Sequence, residues 1–229
     1  MAIGQTGQEL MREGEPTDHF HIVSGGWACR YKTTRDGARQ IMALLVHGDI
    51  ANLDSFLFDR LTYGVRLVSA AEVLTNPRDR LLALADQHAG MIKTLTWLAF
   101  AENAILSQWA LCLGRQSAKQ RLAHLFCELS VWLDSADSHG RFDLPLTQEH
   151  IAGVLGLTSV HVNRTSQQLR AEGLIETGNC AVTIVKMDAL CRIGDFKPSY
   201  LHDDGDPAYP RATRRDDRYQ PVPHTGLSL

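Results

Sequence analysis

The sequence predicts an α+β fold in which short strands precede long helices. Three observations carry that prediction. Residues 10 to 76 break into short alternating apolar runs separated by turn signals. Apolar side chains, with Glu102 between them, then recur in alternating steps of four and three from Met91 to Cys112. Residues 144 to 187 show two short helical patterns joined by a sharp turn and followed by two β-like runs.

In the first region, Asp36-Gly37 separates Tyr31-Lys32-Thr33 from Ile41-Met42-Ala43-Leu44. It reads as a hairpin turn, because Asp-Gly tolerates positive φ. Ser24-Gly25-Gly26 and His47-Gly48-Asp49 mark further turns. Strands are expected near 20–23, 27–33, 38–46, 53–57, 65–69 and 71–75. Strands this short and this regularly spaced suggest a small barrel, roll or sandwich.

At Asn76-Pro77 the pattern turns helical, with Asn as the N-cap and Pro at the first helical position. A short helix is expected over 78–85 and a long one over 87–113. The long helix carries Met91, Leu95, Leu98, Glu102, Ile105, Trp109 and Cys112 in a heptad seam. Such a seam packs lengthwise on another helix, and these seven residues are the expected dimer interface with a second copy. Packing against its own β-domain is the plain alternative, and Glu102 then needs a partner or solvent. Helical periodicity continues from Ser117 to Leu133, and Ser135 to Gly140 reads as a polar loop. Residues 195–229 hold five of the eight prolines and six aspartates, so a disordered tail is expected there.

Composition narrows the class. Of 229 residues, 44% are hydrophobic and 21% charged, enough for a sizeable core. A net charge of −3 excludes a generally basic nucleic-acid coat protein but leaves room for a local footprint. The longest apolar run, Ile41 to Val46, is far short of the ~20 residues of a membrane span. No signal peptide is expected from Met1 to Glu9. The five cysteines form no CxxC pair, so reduced thiols in a cytoplasmic protein are expected.

Function concentrates in Leu146 to Arg164. Thr147 and Thr158 are placed to cap two helices, with Gly156 at the turn between them. Ala152 is small where the helices approach. Ile151, Leu155, Leu157 and Val162 supply apolar contacts. That is the spacing of a helix-turn-helix, whose second helix enters the DNA major groove. With Val162 and Leu169 facing the core, Val160, Arg164 and Gln167 point outward, flanked by His161 and Asn163. Arg can grip guanine with two bonds, Asn or Gln can do so for adenine, and Val can touch a thymine methyl. Thr147, Gln148 and Ser159 sit near helix N-termini, where phosphate is favoured. Gly178-Asn179 then separates the two β-like runs of a wing. Residues 114 to 187 hold seven basic and seven acidic side chains, so affinity must come from placement rather than bulk field.

These motifs together resemble the CRP/FNR family of bacterial transcription regulators, over residues 10 to 187. The marks are Gly14-Glu15, Ser24-Gly25-Gly26, Gly48-Asp49, Leu113-Gly114-Arg115, Arg121-Leu122-Ala123 and Leu146 to Ile175. Arg164 matches the family's recognition-helix arginine, whereas Val160 stands where a glutamate is usual. The resemblance implies a β-roll effector domain like a cyclic-nucleotide-binding jelly roll over 1–86. It further implies a dimerisation helix over 87–113 and a winged helix-turn-helix DNA-binding domain over 114–187. It also implies a homodimer, a near-palindromic double-stranded DNA site and contact with RNA polymerase.

Three departures accompany it. Nucleotide-binding members follow Gly-Asp with a Gly-Glu pair and later an Arg-Ser/Thr pair. This chain has Ile50-Ala51-Asn52-Leu53-Asp54 and Arg60-Leu61-Thr62-Tyr63. Cyclic nucleotide is therefore not expected, and no cofactor is assigned. The N-terminal cysteine cluster of iron–sulfur members is missing, and the region before Gly14 is short. Two rivals remain: a cyclic-nucleotide-gated regulator, and a metal-dependent β-roll enzyme with an ancillary helix-turn-helix, using His19, His21 and His47. The second needs a carboxylate at a spacing the sequence does not offer. Cys180 and Cys191 are expected to be inert, with only Lys186 and Arg192 nearby.

Overall fold

The turns marked by the sequence organise the β-rich half. The computed structural model describes residues 2–133 and 140–202. The expected 135–140 loop therefore lies almost wholly outside the described residues, as does the tail beyond His202. The strands are β1 (Ala2–Gly4), β2 (Glu9–Met11), β3 (His19–Gly25), β4 (Ala28–Thr33), β5 (Arg39–Leu45), β6 (Gly64–Leu67) and β7 (Ala71–Pro77). Helices α1 (Arg78–Gln87), α2 (Ala89–Arg115) and α3 (Ala118–Trp132) follow. The chain continues through β8 (Arg141–Asp143), α4 (Gln148–Leu155), α5 (Ser159–Ala171), β9 (Ile175–Gly178), β10 (Ala181–Ile184) and α6 (Met187–Gly194).

Two antiparallel sheets, ordered β1-β7-β3 and β2-β6-β4-β5, face each other as a small roll. Val23, Val73 and Ala71 of the first meet Val65, Leu67 and Leu45 of the second in a dry core. The Asp36-Gly37 hairpin forms, with Gly37 at φ +87° and the Thr34 N–H donating to the Ala38 carbonyl. Gly26 is required by its neighbours. A Cβ there would lie 2.1 Å from the Ala70 carbonyl oxygen.

Several expectations are corrected. Residues 53–57 do not form a strand; Leu53–Phe56 is a 3-10 turn. The Asn52 side chain organises it, donating to the Ser55 hydroxyl and the His19 carbonyl and accepting from the His21 N–H. Asn76 is not a helix cap. It pairs with Phe20 at the end of β7, and Pro77 precedes α1 without a side-chain cap. Strands β1 and β2 were not expected; with three residues each they are too short to show alternation. Residues 195–202 are not a free tail. Phe196 and Leu201 are buried, and a 3-10 turn at Pro198–Leu201 lies against α2.

The larger core has no break at the domain boundary. It runs from Tyr31, Ile41 and Leu44 of the second sheet, through Trp109 of α2 and Leu122, Phe126 and Leu129 of α3, to Ile151, Leu155, Val162 and Leu169. Helix α3 is therefore the central element, and its Ser117–Gln120 capping box fixes where it starts.

From Glu102 to Cys112 the heptad seam of α2 faces the chain itself. Cys112 and Trp109 are buried, and Ile105 packs on the larger core. Glu102 accepts two bonds from Arg30 of β4, at 2.6 and 3.0 Å. Met91, Leu95 and Leu98 are half-buried. The physical reason is the buried Arg30 guanidinium, which needs a carboxylate and turns this side of the helix inward. The exposed apolar side carries Ile92, Phe100, Leu106 and Leu111, with Phe100 70% exposed. At 100° per residue it is centred roughly 100° or more around the helix from the seam.

The Arg30–Glu102 pair makes a stability prediction. Arg30 also donates to the Ala51 and Ile50 carbonyls, so Glu102→Ala leaves its charge half-served. The Glu102 side chain is 39% exposed, so water offsets part of the loss. The expected cost is about 1–2 kcal/mol, read as a lower urea midpoint at unchanged slope.

Candidate nucleic-acid interface

Helices α4 and α5 meet as the sequence predicts, each started by a threonine. The His150 N–H donates to Thr147 Oγ1 at 3.2 Å, and the Thr147 N–H donates back to His150 Nδ1 at 3.3 Å. The His161 N–H donates to Thr158 Oγ1 at 3.3 Å. Gly156 ends α4 in the left-handed conformation at φ 60°, and the Leu157 N–H returns to the Ala152 carbonyl. A side chain at Gly156 would be strained there.

The two sides of α5 differ sharply. Val162, Thr165 and Leu169 are buried. Ser159, His161, Asn163, Arg164 and Gln167 are exposed, and Val160 is 79% exposed. Thr147 is exposed and Gln148 half-buried beside it at the start of α4. Thus the structure brings the base-reading candidates onto one open helix face.

The wing is a three-stranded sheet ordered β8-β10-β9. Its turn is one residue later than expected. Gly178 pairs with Ala181, leaving Asn179 and Cys180 as the turn residues, at φ 50° and 55°. A two-residue hairpin turn of this hand needs positive φ at both positions, and Asn supplies one readily. Arg170 donates to Thr177 Oγ1 at 2.8 Å, tying the recognition helix to the wing.

Supporting residues came less readily from sequence. Arg121 of α3 donates to the Leu155 carbonyl at 2.9 Å, satisfying the open end of α4. Gln40 of β5 donates to the Val154 carbonyl at 3.0 Å. Ile41 lies beside Gly153. The hairpin of the roll therefore holds the first helix of the reading unit. No local signal marks Gln40, because its partner lies 114 residues away.

The roll's polar residues engage one another. Tyr63 donates to Asp54, Arg60 to the Gly14 carbonyl, and the Arg30 guanidinium lies 5.4 Å over the Tyr63 ring. Among the described residues, no three His, Cys, Asp or Glu side chains are placed to hold a metal. His47 Nδ1 lies 2.8 Å from the Ser24 carbonyl, and His21 Nδ1 3.3 Å from Thr75 Oγ1. Among the described residues, no helix is long and apolar enough to cross a membrane.

A jelly-roll domain, a long helix and a capped winged helix-turn-helix with an open polar face define a DNA-binding regulator. Known proteins agree. The sequence profile of the cyclic nucleotide-binding domain matches residues 5–88, and that of the Crp-like helix-turn-helix domain matches residues 120–193. These two domains, in this order, support a transcription regulator of the CRP/FNR type. The transcriptional activator protein FnrL of Cereibacter sphaeroides is 29% identical over 181 residues, 75% of this chain and 70% of that protein. The nitrogen fixation regulation protein FixK of Rhizobium meliloti is 26% identical over 196 residues, 83% of this chain and 85% of that one. The structure of FixK2 from Bradyrhizobium japonicum superposes with a TM-score of 0.74 at 23% identity, covering 84% of this chain and 98% of that chain.

His150 generates a pH prediction. Burial pushes its pKa below the ordinary 6.5; Glu149 raises it, and Arg66 and Arg39 lower it. The unfolded chain then binds the proton more readily, so the folded state loses stability as pH falls below about 6.5. His150→Gln keeps an N3 acceptor for the capping box without a proton to gain. The expected result is a flatter fall in urea midpoint between pH 7.5 and 5.5.

Proposed function

We propose that the protein regulates transcription in the cytoplasm as a homodimer reading a near-palindromic DNA site through α5. The carrying observation is the open face of α5. A valine 79% exposed stands beside His161, Asn163, Arg164 and Gln167, on a helix whose other side is buried. In the major groove the valine meets a thymine methyl and Arg164 a guanine edge. Thr147, Gln148 and Ser159 meet phosphates at the helix starts. Contact with RNA polymerase follows from the family. The reading is of a binding protein rather than an enzyme.

The partner copy docks on the exposed side of α2, through Ile92, Phe100, Leu106 and Leu111. Helix pairing there sets the distance between the two recognition helices. A shift between two dimer geometries, one matched to a turn of DNA, is the proposed means of control. Phe100→Asp with Leu111→Asp is expected to convert the dimer to monomer in sedimentation while far-UV circular dichroism stays unchanged.

We also propose that the roll takes no cyclic nucleotide. Asn52, Ser55, Asp54, Tyr63 and Arg30 are already bonded within the chain. Titration calorimetry with cyclic AMP and cyclic GMP is expected to show no saturable heat. Saturable binding would favour the nucleotide-gated reading instead.

Selection from random duplexes near physiological salt tests the main reading. Enrichment of a two-fold site, with half-sites about one helical turn apart, is expected. Arg164→Ala should then cost about 1–3 kcal/mol at its cognate base pair. An equal loss on random DNA would mean a phosphate contact instead.

A further inference from the structure

Two cysteines far apart in sequence meet between α3 and α6. The Cys191 thiol donates toward Cys127 Sγ with the sulfurs 3.6 Å apart. Cys127 is buried and Cys191 partly exposed. Other contacts bring these helices close. The Gly194 carbonyl at the end of α6 accepts from Gln116 Nε2 and from His124 Nδ1, each at 3.0 Å. A Cβ on Gly194 would lie 2.6 Å from the His124 backbone nitrogen.

We propose that Cys127 and Cys191 form a dithiol that a peroxide oxidises to an intramolecular disulfide. The sulfurs are in van der Waals contact, and bonding at ~2.05 Å asks for about 1.5 Å of approach. Helix α6 is short and follows directly on the wing, so it can supply that movement. Cys191 is the sulfur a peroxide can reach. As its thiolate it attacks one peroxide oxygen; the O–O bond breaks, and Cys191 becomes a sulfenic acid as hydroxide leaves and is protonated to water. The Cys127 sulfur then attacks the sulfenic sulfur. An S–S bond forms, the S–O bond breaks, and the oxygen leaves as water with the Cys127 proton. In sum, two thiols and one hydrogen peroxide give one disulfide and two waters. Burial pushes the Cys127 thiol upward, which suits the resolving rather than the attacking role.

The loop this bond closes runs from Glu128 to Leu190. It contains α4, α5 and the wing. Closing so long a loop limits the unfolded chain and staples the reading unit to α3.

The test uses the full-length reduced chain treated with a few equivalents of hydrogen peroxide. Remaining thiols are blocked with N-ethylmaleimide in denaturant, and the unreduced digest is mapped by mass spectrometry. The expected product is a peptide pair joining Cys127 to Cys191, two hydrogens lighter than the free thiols and separated by dithiothreitol. The melting temperature is expected to rise by about 5 °C and to return on reduction. A Cys180→Ser chain treated in parallel removes the exposed competing thiol and should give the same pair. Recovery of Cys127 and Cys191 as blocked thiols, at a dose that oxidises Cys180, overturns the proposal. So does Cys191 joined only to a second chain.

Discussion

Glu128 is a carboxylate with no exposed surface in the middle of α3. Burying such a group is costly unless hydrogen bonds replace the lost water. Trp109 Nε1 of α2 donates to its two oxygens at 2.9 and 3.1 Å, and the Tyr200 hydroxyl donates from the C-terminal turn. His124 stacks on Tyr200, with Nε2 3.0 Å from its hydroxyl. Burial and this carboxylate push the Tyr200 phenol upward, holding it as a donor. Three stretches of chain are thereby obliged to meet at one point. The long helix, α3 and the C-terminal turn are held together at that point, inside the continuous core.

The reading unit was legible in sequence because its determinants are local. Two threonines, one glycine and the spacing of Ile151, Leu155, Val162 and Leu169 lie within a short stretch. Each acts on neighbours a few residues away. The hairpin at Asp36-Gly37 was legible for the same reason. The 3-10 turn at Leu53–Phe56 was not, because the buried Asn52 that decides the outcome bonds to His19 and His21, 33 and 31 residues away.

The long helix shows a different limit. Its periodicity correctly announces a helix, but an apolar stripe does not say which surface covers it. Arg30 answers that question from the second sheet, 72 residues away. Composition misled in the C-terminal segment. Prolines and aspartates dominate an average over 195–229, and three well-placed side chains, Phe196, Tyr200 and Leu201, are enough to anchor its start. The contact of Gln40 with α4 is likewise invisible to any local reading. It nevertheless makes the roll part of the platform under the reading helix, so a change of shape in the sheet has a direct path to α4.

The partners of Glu128 have a consequence for how the molecule is made. Synthesis delivers Trp109 first, Glu128 next and Tyr200 seventy-two residues later. Domains fold from the N-terminus as the chain emerges, so the roll and the long helix assemble while this carboxylate still lacks one donor. The nascent polypeptide passes through a stage in which the reading unit is complete in sequence but its seat is not. The turn at Pro198–Leu201 closes the joint as it leaves the ribosome, and the emergence of Tyr200 sets the earliest moment at which this joint exists.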